Sequence, residues 1–142
     1  MSTIENETIV RRYMEEGVSR GNVAIADEVL AAGFVFHFPG VPVPMDVNGW
    51  KGTTALFHTA FPDQTTTVDA LIAEGDQVAA RFTFRGTHQG DFQGLAPTGK
   101  TATMTGIAFW RLAEGKIAEH WVEIDAMGLM QQLGAIPAPA GA

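Results

Sequence analysis

Cysteine is absent from this chain, which excludes disulfides, thiolate metal ligands and cysteine nucleophiles together. Basic residues are scarce. Nine Lys and Arg stand against sixteen Asp and Glu, for a formal charge of -7. A nucleic-acid groove needs clustered cations to displace counterions, and an anionic membrane surface also attracts positive charge, so neither partner fits. No apolar run approaches the roughly 18 residues that a spanning helix requires. The start "MSTIENETIV" carries acids where a signal peptide has a basic head and an apolar stretch. A soluble, cytoplasmic protein is therefore expected. The four histidines, His37, His58, His88 and His120, lack the H-x-x-x-H spacing of a metal site. Nucleophile-elbow and phosphate-loop patterns are missing too, so no metal and no cofactor is expected.

What is present fits one compact domain over residues 1–142, with "AIPAPAGA" (135–142) as a loose tail. Hydrophobic residues make up 46% of the chain, enough to build one core. Ser2 followed by Glu5 reads as a capping box. Ile9, Val10, Tyr13 and Met14 then recur at helical spacing, with Gly17 and Gly21 as stops. A second helix follows Asn22 in "NVAIADEVL", and "FVFHF" reads as an aromatic strand. The segment "PGVPVPMDVNG" reads as a loop, with Trp50 just after it as a lid anchor. A third helix in "TTALFHTAF" closes at Pro62.

From residue 65 the grammar changes to strands: "TTTVDALIA", "QVAARFTFRGTH", "KTATMTGIAFWRL" and "KIAEHWVEI". A short helix, "AMGLMQQLG", is cappable by Asp125. Helices first and a strand meander afterwards imply an α+β fold, with helices packed on one face of a curved antiparallel sheet. Curvature matters because a bent, covered sheet leaves room for an apolar pocket, the usual small-molecule site.

The chemistry concentrates in "EHWVEID", residues 119–125. With Glu114 and Gly115 as turn residues, simple pairing sets Glu123 opposite Gly106, Trp121 opposite Ala108 and Asp125 opposite Met104. Two acids and an indole would then face small side chains, leaving a hollow. His120 and Val122 would face the ordinary core, opposite Phe109 and Ile107. A slip of one residue would exchange the two faces. A carboxyl in an apolar hollow has its pKa raised toward the range useful for proton transfer, and a nearby imidazole can share the work. The candidate catalytic residues are therefore Asp125, His120 and Glu123, with Asp125 equally suited to capping. Glu119 reads as a solvated edge residue. The candidate pocket residues are Tyr13, His37, Trp50, Arg81, Met104 and Trp121. Arg81 and Arg85, flanked by apolar residues, suit either fixing an interior carboxylate or holding the sheet.

Taken in order, "RRYMEEGVSRGN", "FVFHFPG", "AFPDQTTTVDALIAEGDQVAARFTFRGTHQGDFQGLAPTGK" and "GKIAEHWVEIDAMGLMQQLG" span nearly the whole chain. Together they resemble the SnoaL-like polyketide cyclases, within the ketosteroid-isomerase-like group of α+β cone folds. The resemblance implies a cone with an internal pocket and an intramolecular aldol-type ring closure on a polyketide ester, without metal or organic cofactor. It also implies an aspartate acid/base on a late strand, helped by a histidine. Asp125 is the only aspartate of the closing segment, with His120 and Glu123 beside it, and Tyr13 matches a pocket tyrosine. The leading expectation is an enzyme acting on a small apolar carbonyl compound. A non-catalytic binding protein with the same pocket is the second reading. Epoxide opening by water, through an Asp–Arg–Asp cluster drawing on Arg81 and Asp125, is the third. A homodimer is expected, because an outer sheet face carrying Phe84 and Phe109 needs covering.

Overall fold

The computed structural model describes residues 2–137. Most of the expected loose tail, residues 138–142, lies outside the described residues. The first helix, α1 (Thr3–Arg12), starts where the capping box places it, with the Ser2 hydroxyl accepting the Glu5 N–H at 3.1 Å. It does not stop at Gly17. It widens into a π-helical segment, Tyr13–Ser19, whose larger turn brings Tyr13, Met14 and Gly17 all to the buried side. Gly21, at φ +73, takes the left-handed conformation that ends it. A 3-10 turn (Val23–Ile25) and the short α2 (Ala26–Val29) lead directly into β1 (Leu30–His37).

The sheet runs β1-β5-β4-β3-β2, with β2 (Thr65–Glu74), β3 (Gln77–Thr87), β4 (Thr101–Ala113) and β5 (Lys116–Ile124) forming an antiparallel meander. The first strand departs from that pattern. It lies parallel to β5, with Phe36 beside His120. Helix α3 (Val47–Ala60) begins well before the sequence pattern suggests, because Asp46 caps it by accepting the Gly49 N–H at 3.0 Å. Trp50 therefore belongs to a helix and is 1% exposed in the core, not a lid anchor on a loop.

Strict alternation on β3 and β4 sends Val78, Ala80, Phe82 and Phe84, with Ala102, Met104, Ala108 and Trp110, toward the helices. Phe84 thus belongs to the interior, correcting its expected place on the outer face. Phe109 does face outward. The last helix, α4 (Ala126–Gln132), is capped by Asp125, whose Oδ1 accepts the Gly128 N–H at 3.0 Å. Its Leu129, with the following Leu133, closes a second core around Phe61, Phe84, Phe92 and Met104. Among the described residues no helix is long and apolar enough to cross a membrane.

The loop after β3 lies flat on the end of α3. There the N–H groups of Gln89 and Gly90 both donate to the Ala60 carbonyl, at 2.9 and 3.1 Å. A Cβ at position 90 would overlap the carbonyl oxygen of Thr59. Backbone cannot yield as a side-chain tip does, so Gly90→Ala is expected to cost about 1–3 kcal/mol in urea unfolding. An unchanged midpoint would show that the loop lifts freely.

The β4–β5 hairpin sets the site. Glu114 (φ +50) and Gly115 (φ +78) form the turn, and Ala113 pairs with Lys116, as expected. Leu112 then pairs with Ile117, but Arg111 pairs with Glu119, so Ala118 is an extra residue: a β-bulge. Beyond it the expected pairing fails by one place. His120 stands opposite Trp110, Val122 opposite Ala108 and Glu123 opposite Ile107. The two faces of "EHWVEID" are exchanged.

Candidate functional site

Exchange of those faces determines what lines the interior. A cavity of about 90 Å³ lies between the concave side of the sheet and the π segment with α3. Its walls are mostly apolar, with Phe36, Phe38, Phe57, Phe82, Met104 and Val122 prominent. His120 lines it as well and is only 4% exposed. Trp110 stacks on the imidazole at 4.9 Å, and Phe36 and Tyr13 flank it at 5.1 and 5.4 Å.

The His120 Nδ1 lies 2.8 Å from the Tyr13 hydroxyl, and its Nε2 is buried without a partner among the described residues. Burial, helped by repulsion from His37, pushes the His120 pKa down to about 3. Burial likewise holds the Tyr13 phenol well above its usual value, so it stays a neutral hydroxyl. Two arrangements satisfy the contact. With Tyr13 donating to Nδ1, Nε2 carries a hydrogen; with Nδ1 donating to the phenol oxygen, Nε2 offers a lone pair. The uncharged pair can present either a proton or a base.

The other sequence candidates fall in different places. Met104 and Trp50 line the cavity. Tyr13 stands behind His120 and stacks on Trp50 at 5.1 Å, so it reaches the cavity only through its neighbours. Glu123 and Asp125 are exposed, correcting their expected place in the hollow. Glu123 is on the outward face, and Asp125 holds the start of α4. Trp121 is also outward, where it stacks on His37 at 5.1 Å. His37 and Glu119 pair at 2.6 Å on that same face, and Arg111 reaches Glu119 at 3.3 Å. Glu119 is therefore a paired group, not a solvated edge residue. Arg81 is exposed on β3, opposite Ile107. The Asp–Arg–Asp cluster needed for epoxide opening is not assembled: Arg81 and Asp125 are both exposed and neither lines the cavity. Among the described residues no three His, Asp or Glu side chains converge to hold a metal ion.

Five polar lining residues escaped sequence reasoning: Thr53, Thr54 and His58 on α3, Gln64 just before β2, and Thr66 on β2. Gln64 gives no local signal, since its carbonyl partners are Val18 and Ser19, far back in the chain. The exchanged hairpin did leave a trace. Ile117 sits at an odd position and Val122 and Ile124 at even ones, so one face can hold all three only if a residue is inserted between them.

A curved sheet roofed by N-terminal helices over a mostly apolar cavity defines an α+β cone with an internal pocket. The model of the SnoaL-like polyketide cyclase family matches residues 8–133, and the chain belongs to that family. Among solved structures, IdmH, a proposed polyketide cyclase from Streptomyces antibioticus, is 33% identical with a TM-score of 0.82, over 91% of this chain and 98% of that one. A proposed polyketide cyclase from Acidithiobacillus ferrooxidans is 31% identical with a TM-score of 0.82, over 95% of this chain and 99% of that one. AclR, a proposed hydroxylase from Streptomyces galilaeus, is 26% identical with a TM-score of 0.87, over 99% of this chain and 87% of that one. No curated protein matches.

Proposed function

We propose that this protein is an acid/base enzyme acting on a small apolar carbonyl compound by intramolecular aldol ring closure, with His120 as the catalytic residue and Tyr13 positioning it. The observation that carries this reading is the Tyr13–His120 pair at 2.8 Å, leaving a buried, unpartnered Nε2 on a residue that lines an apolar cavity. The family and the cyclase relatives support the same chemistry. Nε2 takes the proton α to a carbonyl, and the resulting enolate carbon attacks a second carbonyl of the same molecule. The imidazolium returns the proton to the alkoxide so formed, and the addition is balanced without any external reagent. Tyr13 keeps the ring oriented and accepts its Nδ1–H while it is charged.

The test uses an aryl β-diketo ester bearing a second ketone, incubated in deuterated water. Deuterium uptake at the α-carbon above the buffer rate, with a cyclised product by chromatography, is the expected result. Binding without exchange or product would move the protein to the second reading, a carrier that holds an apolar metabolite in the same cavity. That reading draws on the cavity lining, which among the described residues holds no carboxyl group.

We also propose that the protein works as a homodimer joined through the outer sheet face. Ile107 is 61% exposed and Phe109 37% there, beside Trp121, with Arg81 and Arg111 near Glu119 and Glu123 on the same surface. Paired about a two-fold axis, such a face offers apolar contact and opposite charges to its own copy. Sedimentation at micromolar concentration should give the mass of two chains, and Ile107→Glu should give one. A wild-type monomer would refute the proposal.

A further inference from the structure

His120 is not the only polar feature of the cavity. Thr54, Gln64 and Thr66 are each more than nine-tenths buried and line it together, with His58 one helical turn beyond Thr54. The strand pairing sets Thr66, and with it Gln64, apart from the imidazole, and His58, 2.6 Å from Gln64, brings the turn of α3 that carries Thr54 to the same side. Thr66 lies in the row of Phe84 and Met104, whereas His120 lies in the row of Trp110. Six positions of β4 separate those rows, and Phe82, Ile124 and Val122 line the wall between them. The wall is thus polar toward each end and apolar between.

The hydrogen-bonding capacity at the second end can be counted. The Gln64 Nε2 donates to the Val18 and Ser19 carbonyls at 2.8 and 3.2 Å, and lies 2.6 Å from the His58 Nε2. Those carbonyls fix the amide, since the reverse orientation would set oxygen against oxygen. Its Oε1 accepts the Thr66 hydroxyl at 3.0 Å and keeps one lone pair. Thr66 has used its hydrogen and keeps acceptor capacity. Thr54 makes no side-chain hydrogen bond to any described residue, so its hydroxyl hydrogen is unused; the neighbouring Thr53 instead donates to the Gly49 carbonyl at 2.9 Å. Among the described residues no lysine or arginine lines the cavity. The His58 Nε2 is engaged by the Val18 carbonyl at 2.9 Å, so Thr54 supplies the free hydroxyl hydrogen, beside acceptor capacity on Thr54, Thr66 and Gln64.

We infer that this second end selects ligands carrying a neutral hydroxyl, phenolic or enolic, at the end away from the reacting carbonyl, with Thr54 donating to its oxygen and Thr66 or Gln64 accepting its hydrogen. The inference rests on the reading that the cavity is the ligand site, and it adds the specificity of that site. A carboxylate would meet acceptor lone pairs and a single donor in a dry environment. A bare hydrocarbon would leave the free hydroxyl unpaired.

Three single-ring probes suit a cavity of about 90 Å³: phenol, benzene and benzoate, followed by equilibrium dialysis. Benzene is the more hydrophobic of the first two, so a preference for phenol reports hydrogen bonding. Wild type is expected to bind phenol about five-fold more tightly than benzene, the effect of one net hydrogen bond, and benzoate most weakly. Thr54→Val and Thr66→Val, both near-isosteric, should each lower that preference, Thr54→Val by strengthening benzene binding as well as weakening phenol binding, and Thr54→Ser should keep it. Equal binding of phenol and benzene, or a preference that survives both valines, overturns this inference and leaves the cavity reading intact. Binding of none of the three overturns both.

Discussion

Replacing His120 by glutamine is expected to lower turnover in the ring-closure assay by about 10²–10⁴-fold, the range a general acid/base residue supplies. Ligand affinity should change little, because the apolar walls that do most of the binding are untouched. Glutamine can still meet the Tyr13 hydroxyl, so the loss reports proton transfer and not a collapsed core. Tyr13→Phe should cost less, since the imidazole stays in place between Trp110 and Phe36 but loses the partner that orients it. The double variant Glu123→Gln, Asp125→Asn is the decisive comparison. Both acids are exposed and Asp125 is occupied as a helix cap that asparagine also provides. Its rate should stay within about three-fold of wild type, as for surface changes away from the reacting atoms. A rate lost in the double variant and kept in His120→Gln would return the chemistry to the carboxyl groups.

The same imidazole should make stability depend on pH. In the folded chain His120 holds no extra proton until about pH 3, whereas the unfolded chain takes one up near 6.5. Between those values the unfolded state binds more protons, so stability falls as pH is lowered through 6.5 toward 3, and above 6.5 this residue contributes no slope. At about 1.4 kcal/mol per pH unit, the loss reaches roughly 3 kcal/mol by pH 4. Asp63, whose carboxyl is held low by the N–H and hydroxyl of Thr87, also loses its contribution as pH falls. Subtracting the His120→Gln curve cancels that shared part. Urea unfolding from pH 7 to 4 should therefore show the difference between the two proteins shifting by about 3 kcal/mol in the variant's favour. Parallel curves would mean that the imidazole is hydrated in the folded state.

Much of the scaffold was legible because its signals are local. Fully alternating β4, the Ser2 and Asp125 caps and the Glu114–Gly115 turn each depend on residues a few places apart. Helix α3 was half hidden, since the prolines before Asp46 mask a start that rests on one carboxylate meeting the Gly49 N–H. The two faces of the last strand were exchanged by a single inserted residue, Ala118, because a period-two pattern carries no memory across a bulge. Partnerships across the fold were beyond reach. Tyr13 and His120 are 107 positions apart, and Gln64 and Val18 are 46 apart. No spacing rule joins residues that meet only after the helices have packed onto the sheet.

Ala118 has one more implication, for how such a cavity diversifies. The strand it interrupts holds an imidazole on its inner face and Glu119 and Glu123 on its outer one. Losing Ala118 would only make the ladder regular, with Glu119 still opposite Arg111 and His120 still opposite Trp110, whereas keeping it without the bulge would turn the carboxyl groups indoors and the imidazole outdoors. Proteins descended from this architecture can thus trade a nitrogen base for an oxygen one through whether the ladder bulges, with no side chain altered.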